Sequence, residues 1–234
     1  MPGIVLQKFI ADSGFCSRRQ AEVLIKAGKV ELNGEKARLG LRVGENDVVK
    51  INGKKIGLAK ERIYIKLNKP AGYVCTNAGF RGEKSVFDLV NLKTRMFVVG
   101  RLDKESRGLV LLTNDGELAQ KLTHPSFQHE KIYELRVSGH LGRVNEVVKN
   151  IKAGVNIGEG DGVVKPKNVK YLDADRFSLV LTEGKKRQIR RMFEAVGCEV
   201  TDLLRTEISG LTLWKLGEGE WKFLTKEEIN KLNE

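Results

Sequence analysis

The sequence predicts an α+β protein in two parts. Three observations carry this. Short apolar runs of strand length, at residues 96–99 and 109–112, hold Val98, Val99 and Val110, side chains that suit a pleated sheet. Asn33-Gly34 and Asn52-Gly53 each follow a short alternating run, the signature of a hairpin closed by a type I′ turn. Elsewhere apolar residues return at helical spacing and stop at a glycine. Ala21, Leu24 and Ile25 do so before Gly28, and Val144, Val147, Val148 and Ile151 before Gly154. Strands and helices intermixed in this way give α+β.

Taken in order, residues 4–13 predict a first helix, with Ile4, Leu6, Phe9 and Ile10 apolar and Gly14 as its stop. Ser17 and Gln20 form an S-x-x-Q capping box for a second helix. Arg18 and Arg19 lie in its first turn, where a cation opposes the helix dipole. A phosphate across the helix start would relieve them; a solvated basic face is the plainer reading. The two hairpins follow, and residues 57–61 make a linker. Ile63, Ile65 and Leu67 alternate as a strand, residues 68–72 break it, and residues 73–76 are its expected return partner. Residues 116–122 start at a turn and form a helix ended by His124-Pro125. A strand is expected over 131–137, a helix over 141–151, and strands over 163–171 and 176–182. Ile189, Met192, Phe193 and Val196 share one helix face. Five cations, Lys185, Lys186, Arg187, Arg190 and Arg191, crowd that helix start, and a phosphate or a carboxylate from elsewhere in the chain would relieve them. Strands over 199–208 and 211–214 and a last helix capped by Thr225 and Glu228 complete the chain.

The net charge of +12, from 42 Lys and Arg against 30 Asp and Glu, points to a polyanionic partner. Nucleic acid fits first. An anionic membrane surface would call for a basic amphipathic helix with aromatic anchors, which is missing, and no apolar stretch is long enough to span a bilayer. Aromatic content of 6% argues against base stacking along a single strand as the main source of affinity. The polar, basic loop at residues 77–85 is a candidate flexible RNA contact. No secretory signal is visible at the N-terminus. Cys16, Cys75 and Cys198 are far apart and fit neither a disulfide framework nor a zinc site, so a reducing cytoplasm is expected. His124, His129 and His140 lack metal-ligand spacing.

The candidate chemistry centres on residues 100–108, a loop between two apolar strands that carries Asp103 among Arg101, Lys104 and Arg107. Rigid strands would position such a loop, and neighbouring cations would hold the carboxylate ionised. The competing reading is a surface salt-bridge cluster of little energetic weight. Phosphate-loop, dinucleotide, nucleophile-elbow and zinc-protease motifs are absent. What is left is an aspartate, a tyrosine in a strand and a basic helix start, which together suggest carboxylate chemistry on RNA without a cofactor.

Two resemblances follow. The stretch LQKFIADSGFCSRRQAEVLIKAGKVELNG resembles the S4-type RNA-binding domain, which implies that Arg18, Arg19, Lys26 and Lys29 touch RNA phosphates. The stretches VGRLDKESRGLVLLTNDGELAQKLTHP, EKIYEL and TEGKKRQIRRMFEAVG resemble the three signatures of the RsuA-type ribosomal RNA pseudouridine synthases, the family that includes the RluB and RluF groups. The likeness spans residue 3 to about residue 231. It implies an S4-like domain over residues 3–58 and a catalytic domain over residues 62–234, a mixed, mainly antiparallel sheet with flanking helices. It also implies site roles. Asp103 is the essential carboxylate, attacking C1′ or taking a proton from C2′ of a flipped uridine; the sequence leaves both open. Tyr133 stacks on the base and assists proton removal from C5. Arg190 pairs with Asp103, Ile189 packs against the pocket, Arg101 helps hold the base outside its helix, and Lys185 contacts phosphate.

The resulting expectation is a cytoplasmic, monomeric isomerase of ribosomal RNA, leaning to the large subunit, with no metal or organic cofactor. The alternative is a ribosome-binding or assembly factor with a silent synthase domain. A second rival is an enzyme that cleaves RNA or removes bases.

Overall fold

A computed structural model describes residues 3–59, 61–76, 82–139 and 141–233. The expected loop contact at residues 77–85 lies largely outside these. The chain divides into two compact units, Met1–Ile63 with Leu92–Phe97 and Thr113–Gly116, and Tyr64–Asn91 with Val98–Leu112 and Glu117–Glu234.

In the first unit, helices Leu6–Asp12 and Arg18–Lys26 accompany a four-stranded sheet in the order Glu35–Lys36, Val30–Leu32, Val49–Ile51, Lys54–Ile56. Asn33 and Asn52 have φ of 55° and 47°, and Gly34 and Gly53 follow with φ of 90° and 77°, as type I′ turns require. The Ser17–Gln20 capping box is formed, with the Gln20 N–H donating to Ser17 Oγ at 3.2 Å and the Ser17 N–H to Gln20 Oε1 at 3.0 Å. The first helix is shorter than its apolar pattern predicts. Ile4–Val5 is instead a strand paired with Arg42–Val43, a distant partner that overrides the local spacing. Leu6, Ile10, Ala21, Ile25, Val30, Val49 and Ile51 form this unit's core.

The second unit is built on a nine-stranded sheet. Its main path runs Asn168–Asp173, Arg176–Leu181, Lys131–Gly139, Cys198–Ile208, Arg107–Thr113, Tyr64–Lys69, Trp221–Phe223, with Leu211–Thr212 and Phe97–Val99 pairing off it. The sheet is mixed. Cys198–Ile208 runs antiparallel to Lys131–Gly139 and parallel to Arg107–Thr113. Leu109, Val110, Leu111 and Leu112 are all fully buried, so this central strand is covered on both faces and shows no alternation. Helices Gly116–Thr123 and Lys226–Asn233 contribute Leu118, Leu122 and Leu232 to the cluster around Leu109 and Leu111.

Three expected strands differ. Residues 73–76 are not the return partner of the first strand, whose neighbours are Arg107–Thr113 and Trp221–Phe223; among the described residues Val74 makes an isolated bridge with Ser85. Residues 163–171 are broken into Val163–Val164 and Asn168–Asp173, interrupted at Pro166, which lacks the N–H a ladder needs. The pairing after Gly210 stops at Thr212.

Candidate active site

The loop between Phe97–Val99 and Arg107–Thr113 has a glycine at each end. Gly100 has φ of 66° and Gly108 of 107°. At Gly108 no side chain fits: a Cβ would stand 2.3 Å from the carbonyl oxygen of Arg205 and 2.7 Å from its nitrogen. The crowding comes from register, because Gly108 lies opposite Arg205 in the parallel pair. Within the loop the Ser106 N–H donates to the Asp103 carbonyl at 3.1 Å.

Two buried cations hold the loop's carbonyls. Lys69 Nζ donates to Ser106 O at 2.5 Å and to Lys104 O at 3.3 Å. Arg205 donates from Nη2 to Gly100 O at 2.5 Å and from Nε to Leu109 O at 2.8 Å. Burial pushes the Lys69 amine below the usual lysine range, against the pull of Cys75, Glu105 and Asp103.

The loop opens on a cleft of about 970 Å³. Arg101, Asp103, Tyr133, Lys185, Ile189 and Arg190 all line it, drawn from three well-separated stretches of chain. Asp103 is half-buried and Arg101 exposed. Tyr133 and Ile189 are buried, at 8% and 4% exposure. Tyr133 lies on the inward side of Lys131–Gly139 with Leu135 and Val137. Ile189 belongs to helix Gln188–Glu194, which buries Met192 and Phe193; Phe193 meets Phe177 edge to face at 5.3 Å. Arg18, Arg19, Lys26 and Lys29 belong to the first unit, where all four are exposed.

Three expectations about charge are corrected. First, two of the three cations beside Asp103 in sequence are engaged elsewhere. Lys104 pairs with Glu83 at 3.0 Å, and Arg107 grips Asp202 with both arms of its fork, at 2.8 and 2.6 Å. Asp103 is instead one of the charges that pull on the buried Lys69 amine, from a residue distant in sequence. Second, Arg190 does not pair with Asp103: it donates from Nη1 to the Val200 carbonyl at 2.6 Å, and its buried Nε has no partner among the described residues. Third, Lys185, Lys186 and Arg187 precede the helix rather than crowd its first turns, and Arg187 holds a left-handed φ of 50°. Their relief comes from the chain itself. Lys185 donates to the Asp161 carbonyl at 2.6 Å, Arg187 pairs with Glu105 at 3.1 Å, and Arg191 with Asp161 at 2.7 Å.

The cleft also holds residues that the sequence reading passed over, notably Arg205, Lys131 and Cys75. Arg205 carried a signal, since it is a cation set among Val200, Leu203 and Ile208, the inward residues of an alternating strand. Lys131 lies two residues from Tyr133; burial, followed by the charge of Arg205, lowers its amine, while Glu183 pulls it up. Among the described residues, no group of His, Cys, Asp and Glu could hold a metal ion, and no helix is long and apolar enough to cross a membrane.

Residues 63–195 match the family model described as RNA pseudouridylate synthase, and residues 6–49 match the S4 domain. The chain belongs to the RNA pseudouridylate synthase family. It is 40% identical over 235 residues to "Ribosomal large subunit pseudouridine synthase B" of Bacillus subtilis (strain 168), covering 97% of this chain and 94% of that protein. It is 41% identical over 227 residues to "Dual-specificity RNA pseudouridine synthase RluF" of Escherichia coli (strain K12), covering 96% of this chain and 76% of that protein. Among solved structures, one titled "Crystal structure of pseudouridylate synthase" superposes with a TM-score of 0.72 at 30% identity, covering 98% of this chain and 99% of that one. As a pseudouridylate synthase fold, the two-unit architecture and the mixed, mainly antiparallel sheet agree with the class expected from the sequence.

Proposed function

We propose that this synthase isomerises uridine to pseudouridine in ribosomal RNA of the large subunit, with residues 62–234 as the catalytic part and residues 3–58 as an RNA-binding part, acting in the cytoplasm. The observation that carries the reading is one cleft lined by Asp103, Tyr133 and Arg190 from separate signature stretches. The names of the relatives in Bacillus subtilis and Escherichia coli and the net charge of +12 support the substrate class.

In this reading the target uridine leaves its stack, since C1′ is out of reach in a helix. Its N1–C1′ bond breaks and a C5–C1′ bond forms, and the proton on C5 is finally transferred to N1. Asp103 acts at the sugar, either as nucleophile at C1′ or as base at C2′; both require its carboxylate form. The Tyr133 ring supports the base, and its hydroxyl lies on the route of the C5 proton. Ile189 closes the apolar wall. Arg101, exposed at the cleft, holds the flipped nucleotide, and Lys185 stands at its phosphate. The unpartnered Arg190 Nε supplies a donor that a carboxylate or a base oxygen satisfies once RNA is bound.

The test is tritium release from ribosomal RNA labelled at uridine C5, prepared from a strain lacking the enzyme. Asp103→Asn is expected to abolish release while RNA binding persists; full activity in that variant would sink the reading. Mapping pseudouridines in the same strain assigns the nucleotide, and a lost modification in the small subunit would refute the large-subunit assignment.

A further inference from the structure

Arg205 heads the fully buried side chains in size and is 1% exposed. Among the described residues no carboxylate pairs with its guanidinium. Its donors go to two main-chain carbonyls, Gly100 O at 2.5 Å and Leu109 O at 2.8 Å. Those carbonyls are the two roots of the loop that carries Asp103: Gly100 leads in, and Leu109 follows Gly108 on the way out. A single planar fork therefore spans the loop's mouth and fixes its width. The Arg205 backbone is tied to the same machinery. Its Cα is the register partner of Gly108 on one side and of Tyr133 on the other.

A buried charge without a counter-charge is an expensive way to stabilise a sheet, and a well-packed apolar side chain of similar volume would serve as well or better. Arg205 moreover lies in the field of two other cations, depressing the amines of Lys69 and Lys131. A guanidinium in this place is explained by what its rigid fork does for the loop. We propose that Arg205 is a positioning residue for catalysis, a clasp that holds the Asp103 loop and the Tyr133 strand at a fixed separation. The proposal rests on the reading of Asp103 as the reacting carboxylate.

The experiment measures tritium release by the full chain from C5-labelled ribosomal RNA under single-turnover and steady-state conditions, below each variant's melting temperature and per folded molecule. Arg205→Met loses both carbonyl contacts. It is expected to lower kcat by about 100-fold, the scale of a misplacement near 1 Å, while KM moves by less than ~3-fold. Arg205→Lys keeps the charge and reaches one carbonyl, so it is expected to recover about a tenth of the native rate. Where Arg205→Met does not fold, Arg205→Lys decides alone. A native kcat in a folded variant overturns the clasp, and so does a loss that vanishes once rates are taken per folded molecule. Asp103→Asn runs beside them: full activity there refutes the catalytic reading itself, whereas an inactive Asp103→Asn with native Arg205 variants refutes the clasp alone.

Discussion

Tyr133 and Arg205 face each other across the antiparallel strands Lys131–Gly139 and Cys198–Ile208, directly after a bulge. Ile132 pairs with Glu207 and Tyr133 with Arg205, so Thr206 is the extra residue. A bulge re-aims the side chains that follow it and sharpens the local twist. Here it brings Tyr133 to the cleft and puts Arg205 inside the sheet. The Thr206 carbonyl accepts from the Leu213 N–H at 2.8 Å, in line with the pairing of Glu207 and Ile208 to Leu211–Thr212. The bulge is thus tied down from its far side, and the tyrosine inherits its rigidity.

That rigidity makes the two roles proposed for Tyr133 separable. Tyr133→Phe keeps the ring in its packed place and removes only the hydroxyl. It is expected to leave RNA affinity nearly unchanged and to slow product formation by about 10²–10⁴, the range of a lost proton-transfer group. Tyr133→Leu removes the stacking face too and is expected to bind the RNA more weakly as well. Steady-state tritium release and filter binding on both variants check this. A fully active Tyr133→Phe would leave the residue as a stacking platform only.

A second consequence concerns acid. Arg107 closes the outgoing limb of the loop through its two hydrogen bonds to Asp202. That bonding, ahead of the opposing effect of burial, holds the Asp202 carboxyl below its ordinary value of 3.8. A carboxylate whose pKa is depressed on folding contributes stability that is fully present above its unfolded pKa. The contribution is lost as pH falls through the folded one. Urea unfolding followed from pH 7 downward is expected to show the native chain losing stability below about pH 4 more steeply than Asp202→Asn. At neutral pH the variant is expected to be the less stable of the two. Parallel acid limbs would mean that the Arg107–Asp202 fork contributes nothing to stability.

What the sequence made legible divides by the range of the interactions. The Ser17–Gln20 cap and the Asn33-Gly34 and Asn52-Gly53 hairpins are decided within a few residues, and they stand as read. Ile4–Val5 fits a helical pattern but is taken by Arg42–Val43, and Trp221–Phe223 becomes a strand only because Ile65 and Leu67 lie opposite it. Neither partner is visible locally. The same holds at the site. The signature stretches pointed to the lining residues, including Asp103, Tyr133 and Arg190, but not to who pairs with whom. Lys104 and Arg107 are neighbours of Asp103 in sequence and belong to Glu83 and Asp202 in space. Lys69 sits next to a proline that reads as a chain break, yet it ends a buried strand and holds carbonyls 35 and 37 residues further on. A polar side chain at an interior position, as at Arg205, is the one local mark such long-range partners leave.

The basic first unit yields a prediction independent of the cleft. Arg18 and Arg19 are exposed at the start of helix Arg18–Lys26, whose first turn holds no acidic residue. Two cations there oppose the helix dipole, and an RNA phosphate would turn that cost into a binding contribution, by meeting both the guanidinium groups and the free N–H groups. Each phosphate contact releases counterions on binding, so its loss flattens the salt dependence as well as weakening affinity. Arg18→Ala with Arg19→Ala is expected to raise the Kd for ribosomal RNA and to reduce the slope of log Kd against log salt by about 2. Single substitutions should each remove about half of that change. The check is filter binding across a salt series with the full chain. An unchanged slope in the double variant would take this helix out of the interface and leave the pair as a solvated basic face.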